Sequence, residues 1–87
     1  MQVIHKYTLA PSGLQSVPMP RDAKILTAQI QHDNICVWAS HDTLNQNDKV
    51  SVMIEIFGTG IRFDDSPRQY ISTVQLDGFV WHIFLRT

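Results

Sequence analysis

Apolar and polar residues alternate along much of this chain, which is the pattern of β-strands that bury one face. The longest such stretch runs from Ala23 to His41 and is interrupted by His32-Asp33-Asn34. Asp and Asn tolerate the positive φ angles of the tight turns that join antiparallel strands. The stretch therefore predicts a β-hairpin whose first arm carries Leu26, Ala28 and Ile30 on one face.

Two segments are apolar on both faces, so we predict that each lies centrally in a sheet. The first is Ile35 to Ala39, the second arm of the hairpin just described. The other is Phe79 to Leu85, which follows Asp77-Gly78. Asp-Gly strongly favours a two-residue hairpin turn, so this segment is predicted to pair with the strand before it. We expect the two apolar segments to meet in the core.

The remaining segments complete an all-β pattern. Further strands are predicted over Val3–Leu9, Gln15–Met19, Val50–Phe57 and Tyr70–Leu76. Pro18 and Pro20 lack amide donors, which confines the second strand to a sheet edge. The polar stretches His41–Lys49 and Arg62–Arg68 are predicted to be surface loops. Seven short strands separated by turns predict one domain over residues 1–87, a small antiparallel β-sandwich or partly open barrel.

Composition excludes several classes of function. The 87 residues carry a formal charge of −1 and no two Lys or Arg are adjacent, so nucleic-acid binding has no electrostatic basis. No apolar run approaches the roughly 18 residues of a membrane-spanning helix, and no signal peptide is apparent. The single cysteine, Cys36, lies in an apolar segment, where a buried small hydrophobe is expected rather than a reactive thiol.

Candidate catalytic and metal-binding residues are few. Antiparallel pairing of the terminal strands would bring His5 and His82 together, but their spacing matches no metal-ligand signature. Hydrogen-bonded strand histidines are the favoured interpretation, and neither a metal nor a cofactor is expected. Asp64-Asp65 is interpreted as a turn in which Asp caps a local amide. No nucleophile motif or phosphate-binding P-loop is present, so we do not expect an enzyme.

We expect any binding site for a ligand or a protein on the loops His41–Lys49 and Gly58–Arg68, or on a face that Trp38 or Trp81 leaves exposed. Gly58-Thr59-Gly60 could present backbone amides to a phosphate, although the helix that usually follows such a loop is not predicted. Arg62 or Arg68 would then contact the phosphate while a Tyr or Trp ring stacks on a base. Trp38 and Trp81 are the preferred anchors if the partner is a protein, because Trp dominates interface energetics.

Short motifs along the whole chain, in order, carry a family resemblance. They are Ile4-His5-Lys6-Tyr7, Met19-Pro20, Ala23-Lys24-Ile25-Leu26, Gln31, Cys36-Val37-Trp38-Ala39, Phe57-Gly58-Thr59-Gly60, Tyr70-Ile71-Ser72-Thr73-Val74-Gln75 and Val80-Trp81-His82-Ile83-Phe84. In this combination the chain resembles a family of short proteins of unknown function found mainly in tailed phages and prophages. The resemblance implies a phage-type accessory protein made in the host bacterial cytoplasm, and it supplies no catalytic or binding residue.

These observations lead to one expected function and two alternatives. The expected function is non-catalytic binding of a host or phage protein, including inhibition of a bacterial defence system. The alternatives are a nucleotide-binding oligomer and a minor component of the virion. A homo-oligomer, most simply a dimer, is expected because an 87-residue core is thin and its strands have apolar surface to spare.

Overall fold

The computed structural model describes all 87 residues as seven antiparallel strands and one helical turn. The strands are β1 (Gln2–Thr8), β2 (Gly13–Pro20), β3 (Lys24–Gln31), β4 (Asn34–Asp42), β5 (Lys49–Gly58), β6 (Arg68–Leu76) and β7 (Phe79–Arg86). They form a three-stranded sheet in the order β1-β4-β3 and a four-stranded sheet in the order β2-β5-β7-β6. The predicted all-β fold is confirmed, as a sandwich of two sheets rather than a closed barrel.

The positions of several strands within the sheets follow from their sequences as predicted. β2, which contains Pro18 and Pro20, is an edge strand. β4 and β7, apolar on both faces, each lie between two neighbours. The structure contains no helix with the length and hydrophobicity needed to cross a membrane.

Both predicted hairpins are present with two-residue turns in the left-handed region. The φ angles are 50° at His32 and 62° at Asp33 in the first turn, and 56° at Asp77 and 81° at Gly78 in the second. This twist matches that of the flanking strands, which is why Asp and Gly are favoured at these positions. The short-range turn signals therefore define where both hairpins reverse direction.

The predicted face of β3 is wrong at Leu26. The register between β3 and β4 shifts between Ile25 and Thr27, so Leu26 is an extra, bulged residue. Ile25 takes its place toward the core with Ala28 and Ile30, while Leu26 remains 47% exposed. A matching register shift in β6 lies between Tyr70 and Ser72. The alternation of apolar and polar residues does not reveal either bulge. An extra residue reverses the faces of the residues that precede it, but no residue type marks where it lies.

The core lies between the two sheets. Its buried apolar members are Leu9, Val17, Met19, Ala28, Ile35, Val37, Ala39, Ile54, Ile56, Val74 and Ile83. Both doubly apolar segments contribute to it, through β4 and β7. At one end of the sandwich β3 packs against β6, and Ser72 Oγ accepts a hydrogen bond of 3.0 Å from the Ala28 amide. At the other end lie the edge strands β1 and β2.

The predicted loop His41–Lys49 is shorter than expected. β4 continues through His41, whose side chain is buried at 1% exposure, and ends at Asp42. The Asp42 carboxylate accepts a hydrogen bond of 2.9 Å from the Leu44 amide and caps a single helical turn, Thr43–Asn45. Pairing of His41 with Val3 on β1 extends the strand, a long-range effect that local polarity conceals.

Cys36 is buried even though it lies outside the core cluster. It lies on the outer face of the three-stranded sheet, beside Thr8 and Gln29 on the neighbouring strands. The Lys6 side chain crosses β4 and donates a hydrogen bond of 2.7 Å to the Gln31 side chain. Lys6 is opposite Trp38 and Gln31 is opposite Asn34, two residues on either side of Cys36. The bridge between them therefore passes over the thiol.

Candidate functional site

Four aromatic side chains gather on the outer face of the four-stranded sheet, and we call this cluster the aromatic patch: Phe57, Phe63, Tyr70 and Phe84. The rings of Phe57 and Phe63 stack with centroids 4.3 Å apart. The ring of Phe84 lies 6.0 Å from Phe57, 5.8 Å from Phe63 and 5.7 Å from Tyr70. Phe63 and Tyr70 remain 51% and 57% exposed, so the patch faces solvent.

Strand register accounts for three members of the patch. Phe84 on β7 is opposite Glu55 on β5 and Tyr70 on β6, so these side chains form one row across the sheet. Phe57 lies in the next row, opposite His82. All point away from the core because Ile54, Ile56 and Ile83, the alternate residues, point into it.

The fourth member, Phe63, comes from the loop between β5 and β6 rather than from a strand. Arg68, at the start of β6, fixes this loop through its guanidinium group. Nη1 donates to the carbonyls of Asp64 and Ser66 at 2.7 and 3.0 Å, and Nη2 donates to the Asp64 carboxylate at 2.8 Å. The guanidinium carbon also lies 5.2 Å from the Phe63 ring centroid, within cation–π distance. The loop is therefore preorganised with Phe63 held over the sheet.

Charges beneath the patch are mutually compensated. Arg68 Nε donates to Glu55 at 2.8 Å, and Arg86 lies 3.3 Å from the same carboxylate. The hydrogen bond that Arg68 donates to the Glu55 carboxylate is the main reason that the pKa of Arg68 is raised. The hydrogen bond from Arg68 is the main reason that the pKa of Asp64 falls from 3.8 to about 2. The Arg68 side chain is only 7% exposed, so it supports the patch from within.

A chain of polar contacts borders the patch. His82 Nε2 lies 2.8 Å from the Thr59 hydroxyl and its Nδ1 lies 3.1 Å from the Thr73 hydroxyl. The Thr73 hydroxyl is in turn 2.7 Å from the Tyr70 hydroxyl. His82 is thus hydrogen-bonded on its strand as predicted, although on the outer face of the sheet, whereas His5 makes no side-chain hydrogen bond. The contacts fix the orientation of Tyr70 and leave a polar rim beside an apolar surface.

Some of the residues predicted for the site come together and others do not. Gly58 and Thr59 line one cleft with Trp81, whose ring atom Cζ3 is 3.5 Å from the position that a Cβ on Gly58 would occupy, whereas no atom lies within 4 Å of a Cβ on Gly60. The Trp81 ring is partly buried against the core and donates to the Leu76 carbonyl at 3.4 Å. Trp38 is on the opposite outer face, in the middle of the three-stranded sheet.

The phosphate-binding hypothesis loses most of its donors in the structure. The amides of Thr59 and Ile61 donate to the carbonyls of Val80 and Gly58, both at 3.2 Å. The Arg68 guanidinium is occupied by Glu55 and by the loop. Among the residues assigned to phosphate, only Arg62 is an exposed cation with no ion pair. The Asp64 carboxylate accepts from the Ser66 amide at 3.2 Å, which confirms the predicted capping turn.

His5 and His82 do not come together, because β1 and β7 belong to different sheets and the pairing that would join them does not form. His5 instead contacts His41, with ring centroids 4.9 Å apart in an edge-to-face arrangement. Neither ring nitrogen of the buried His41 has a hydrogen-bond partner. No group of three or more His, Cys, Asp or Glu side chains is placed to share a metal ion.

Sequence reasoning did not single out Phe63, because the segment around it has no periodicity. The sequence feature that indicated the rest of the patch is the second apolar face of β7, which carries Phe84. A cleft of about 280 Å³ lies between the patch and the Gly58–Gly60 turn and is lined by Phe57, Phe63 and His82 among others. It is shallow and hydrocarbon-rich, which suits contact with an apolar side chain of a partner.

Comparison with known proteins gives a family but no function. No curated protein and no solved structure matches the chain. One family model does, over residues 1–87, and its description is "Domain of unknown function (DUF7352)". Because that match covers the whole sequence, the chain belongs to the DUF7352 family.

Proposed function

We propose that this protein is a non-catalytic accessory factor that binds another protein through the aromatic patch. The observation that carries the proposal is the exposure of Phe63 and Tyr70, the first on a loop that Arg68 holds and the second hydrogen-bonded to Thr73. Exposed aromatic clusters with a polar rim are typical of protein interfaces. A preorganised patch also loses little side-chain entropy on binding, which favours affinity.

The resemblance to short proteins of tailed phages and prophages supports a proposal about where the protein acts. The protein would act in the cytoplasm of a host bacterium, where its partner is a host or phage protein. A component of a bacterial defence system is the partner class that best fits a small protein without catalytic residues. The partner would insert an aliphatic or aromatic side chain between Phe63, Tyr70 and Phe84.

The test compares two single aromatic substitutions on opposite faces. Immobilised wild type, Phe63→Ser and Trp38→Ser would be used to capture proteins from a lysate of infected bacteria. The partner would then be purified and its affinity measured for all three. We expect Phe63→Ser to weaken binding at least about tenfold and Trp38→Ser to change it less than about twofold.

Two results would contradict the proposal. One is the absence of a reproducible partner for the wild type, and the other is equal binding of that partner by Phe63→Ser. A thermal-shift screen with nucleotides, cyclic ones included, separates the competing function. Stabilisation by a nucleotide that Phe63→Ser abolishes would assign the patch to base stacking rather than to a protein.

A further inference from the structure

The two edge strands at the open end of the sandwich differ in the hydrogen-bonding groups that they present. Just beyond the end of β2, the Arg21 amide donates to the Asp48 carbonyl at 2.8 Å. Because backbone hydrogen bonds alternate along an antiparallel pair, the odd-numbered residues of β2 direct their backbone groups toward β5. The even-numbered residues therefore direct theirs outward, and two of these are Pro18 and Pro20. Proline has no N–H, so half of this edge offers no donors to another strand.

The β1 edge has no such protection. The Leu9 amide donates to Ile35 and the Met1 carbonyl accepts from Thr43, so odd-numbered residues of β1 bond to β4. The outward backbone groups belong to Gln2, Ile4, Lys6 and Thr8, and none of them has a backbone partner. Lys6 is the one charged residue among them. Its side chain crosses β4 to Gln31, so its charge does not block the approach of another strand to the edge.

We propose that β1 pairs with β1 of a second copy of the chain, in an antiparallel two-fold dimer that joins the three-stranded sheets. The sequence of β1 is self-complementary in the register that places His5 opposite the partner's His5. In that register Ile4 is opposite the partner's Lys6, Gln2 opposite the partner's Thr8, and Val3 opposite the partner's Tyr7. Every outward amide and carbonyl of β1 then has a partner.

Neighbouring two-fold registers are less favourable. Centring the pair on Lys6 sets two ammonium groups directly opposite one another, which destabilises cross-strand pairs. Centring it on Ile4 leaves Thr8 beyond the end of the partner strand. A two-fold dimer also suits the thin core, since only 15 of 87 residues are buried in the single chain. The aromatic patch lies on the other sheet and does not take part, so this proposal is independent of the proposed function.

Disulfide trapping tests the register. In an antiparallel pair without mutual hydrogen bonds the Cα atoms are about 4.5 Å apart, which lies within the range that a disulfide spans. In a Cys36→Ala background, His5→Cys is expected to form a cross-linked dimer under mild oxidation. Val3→Cys is the matched control and is expected to stay uncross-linked, whereas Val3→Cys combined with Tyr7→Cys is expected to cross-link.

Two measurements establish whether the edge is used by the unmodified protein. Sedimentation of the wild type is expected to give twice the 10.0 kDa chain mass, and amide exchange at Ile4 and Lys6 is expected to slow as concentration rises. Ile4→Pro removes an outward N–H from β1, as Pro18 and Pro20 do on β2. It should raise the dimer dissociation constant about tenfold or more, while Ile4→Val should not.

A monomer at all micromolar concentrations would overturn the proposal, as would a dimer in which the Ile4 and Lys6 amides exchange at the monomer rate. If Ile4→Pro fails to fold, amide exchange in the wild type decides.

Discussion

The β3–β4 and β6–β7 hairpins are built alike, each with a two-residue turn in the left-handed region and a bulge in its first strand. Counted from the turns, Ile25 is equivalent to Tyr70 and Ala39 to Phe84. Yet Ile25 and Ala39 lie in or against the core, whereas Tyr70 and Phe84 belong to the outer aromatic patch. The two hairpins therefore direct equivalent positions to opposite sides.

This difference shows that hairpin geometry does not decide which face is buried. On β3–β4 the core takes Ala28, Val37 and Ala39, and the outer face is mixed, with Gln29 and Gln31 on β3 beside Cys36 and Trp38 on β4. On β6–β7 the core takes Val74 and Ile83, and the outer face is mixed as well, but there Tyr70 and Phe84 join the aromatic patch. These rings are apolar surface that the core does not use, and a partner has the most to gain by binding there.

The largest effect is expected from exchanging equivalent residues between the hairpins. Val37→His would place an imidazole in a fully buried site without partners, and we expect a loss of about 3 kcal/mol in the free energy of unfolding. The reciprocal change, His82→Val on the outer face, should cost less than about 1 kcal/mol. Urea denaturation measures both. Similar losses from the two substitutions would show that the faces do not differ in burial.

Removal of the support beneath the patch should come next in size. Arg68→Met leaves Arg86 as the one ion-pair partner of the nearly buried Glu55 carboxylate. It also removes the hydrogen bonds that hold the loop carrying Phe63. We expect the melting temperature to fall by about 10 °C. The control is Arg21→Met, which removes an exposed pair with Asp48 and should lower the melting temperature by less than about 3 °C. Equal shifts would contradict the bracing role of Arg68.

Exchange of turn chemistry sharpens the comparison further. His32 and Asp33 adopt positive φ angles without being glycine, so replacing them by Asn and Gly should stabilise the β3–β4 hairpin by about 1 kcal/mol. Gly78→Ala in the second turn should destabilise by about 1 kcal/mol, because φ is 81° there. Thermal unfolding checks both signs. Changes in the same direction would mean that the two turns are not equivalent.

The smallest effect is a loss of stability in acid that depends on Asp64. Its folded pKa of about 2 is lower than its ordinary value of 3.8, so the carboxylate stabilises the fold above pH 3.8. That contribution is lost as pH falls from 3.8 through 2, when the contact with Arg68 disappears. The pH dependence of the denaturation midpoint should therefore be shallower in Asp64→Asn over this interval. An unchanged slope would show that the Asp64–Arg68 contact is not maintained in solution.

Local signals in the sequence predict both turns, the edge position of β2 and the central positions of β4 and β7. Asp77-Gly78 and Pro18 act through their own backbone geometry, so no distant residue is needed to interpret them. Leu26 and His41 behave differently. The bulge at Leu26 lies where β3 meets β6, and the burial of His41 depends on its pairing with Val3. Both depend on contacts between segments that are far apart along the chain.

The aromatic patch was predictable only in part for the same reason. Phe84 lies on the second apolar face that the alternation identifies in β7, whereas Phe57 shares its face of β5 with Ser51 and Glu55. Phe63 reaches them only because Arg68 binds the carbonyls of Asp64 and Ser66, a contact that no periodicity encodes. Trp38, favoured for its residue type, instead lies on a largely polar face between Lys6 and Thr27.

The thiol that Lys6 and Gln31 cover gives the molecule an internal reporter. Cys36 is the chain's single cysteine and is 1% exposed, so an alkylating reagent reaches it only when the Lys6–Gln31 bridge or the sheet beneath it opens locally. Its labelling rate then measures how often that cover opens. Lys6→Ala should accelerate labelling without a comparable change in global unfolding, which would show that the Lys6 side chain shields the thiol in the folded protein.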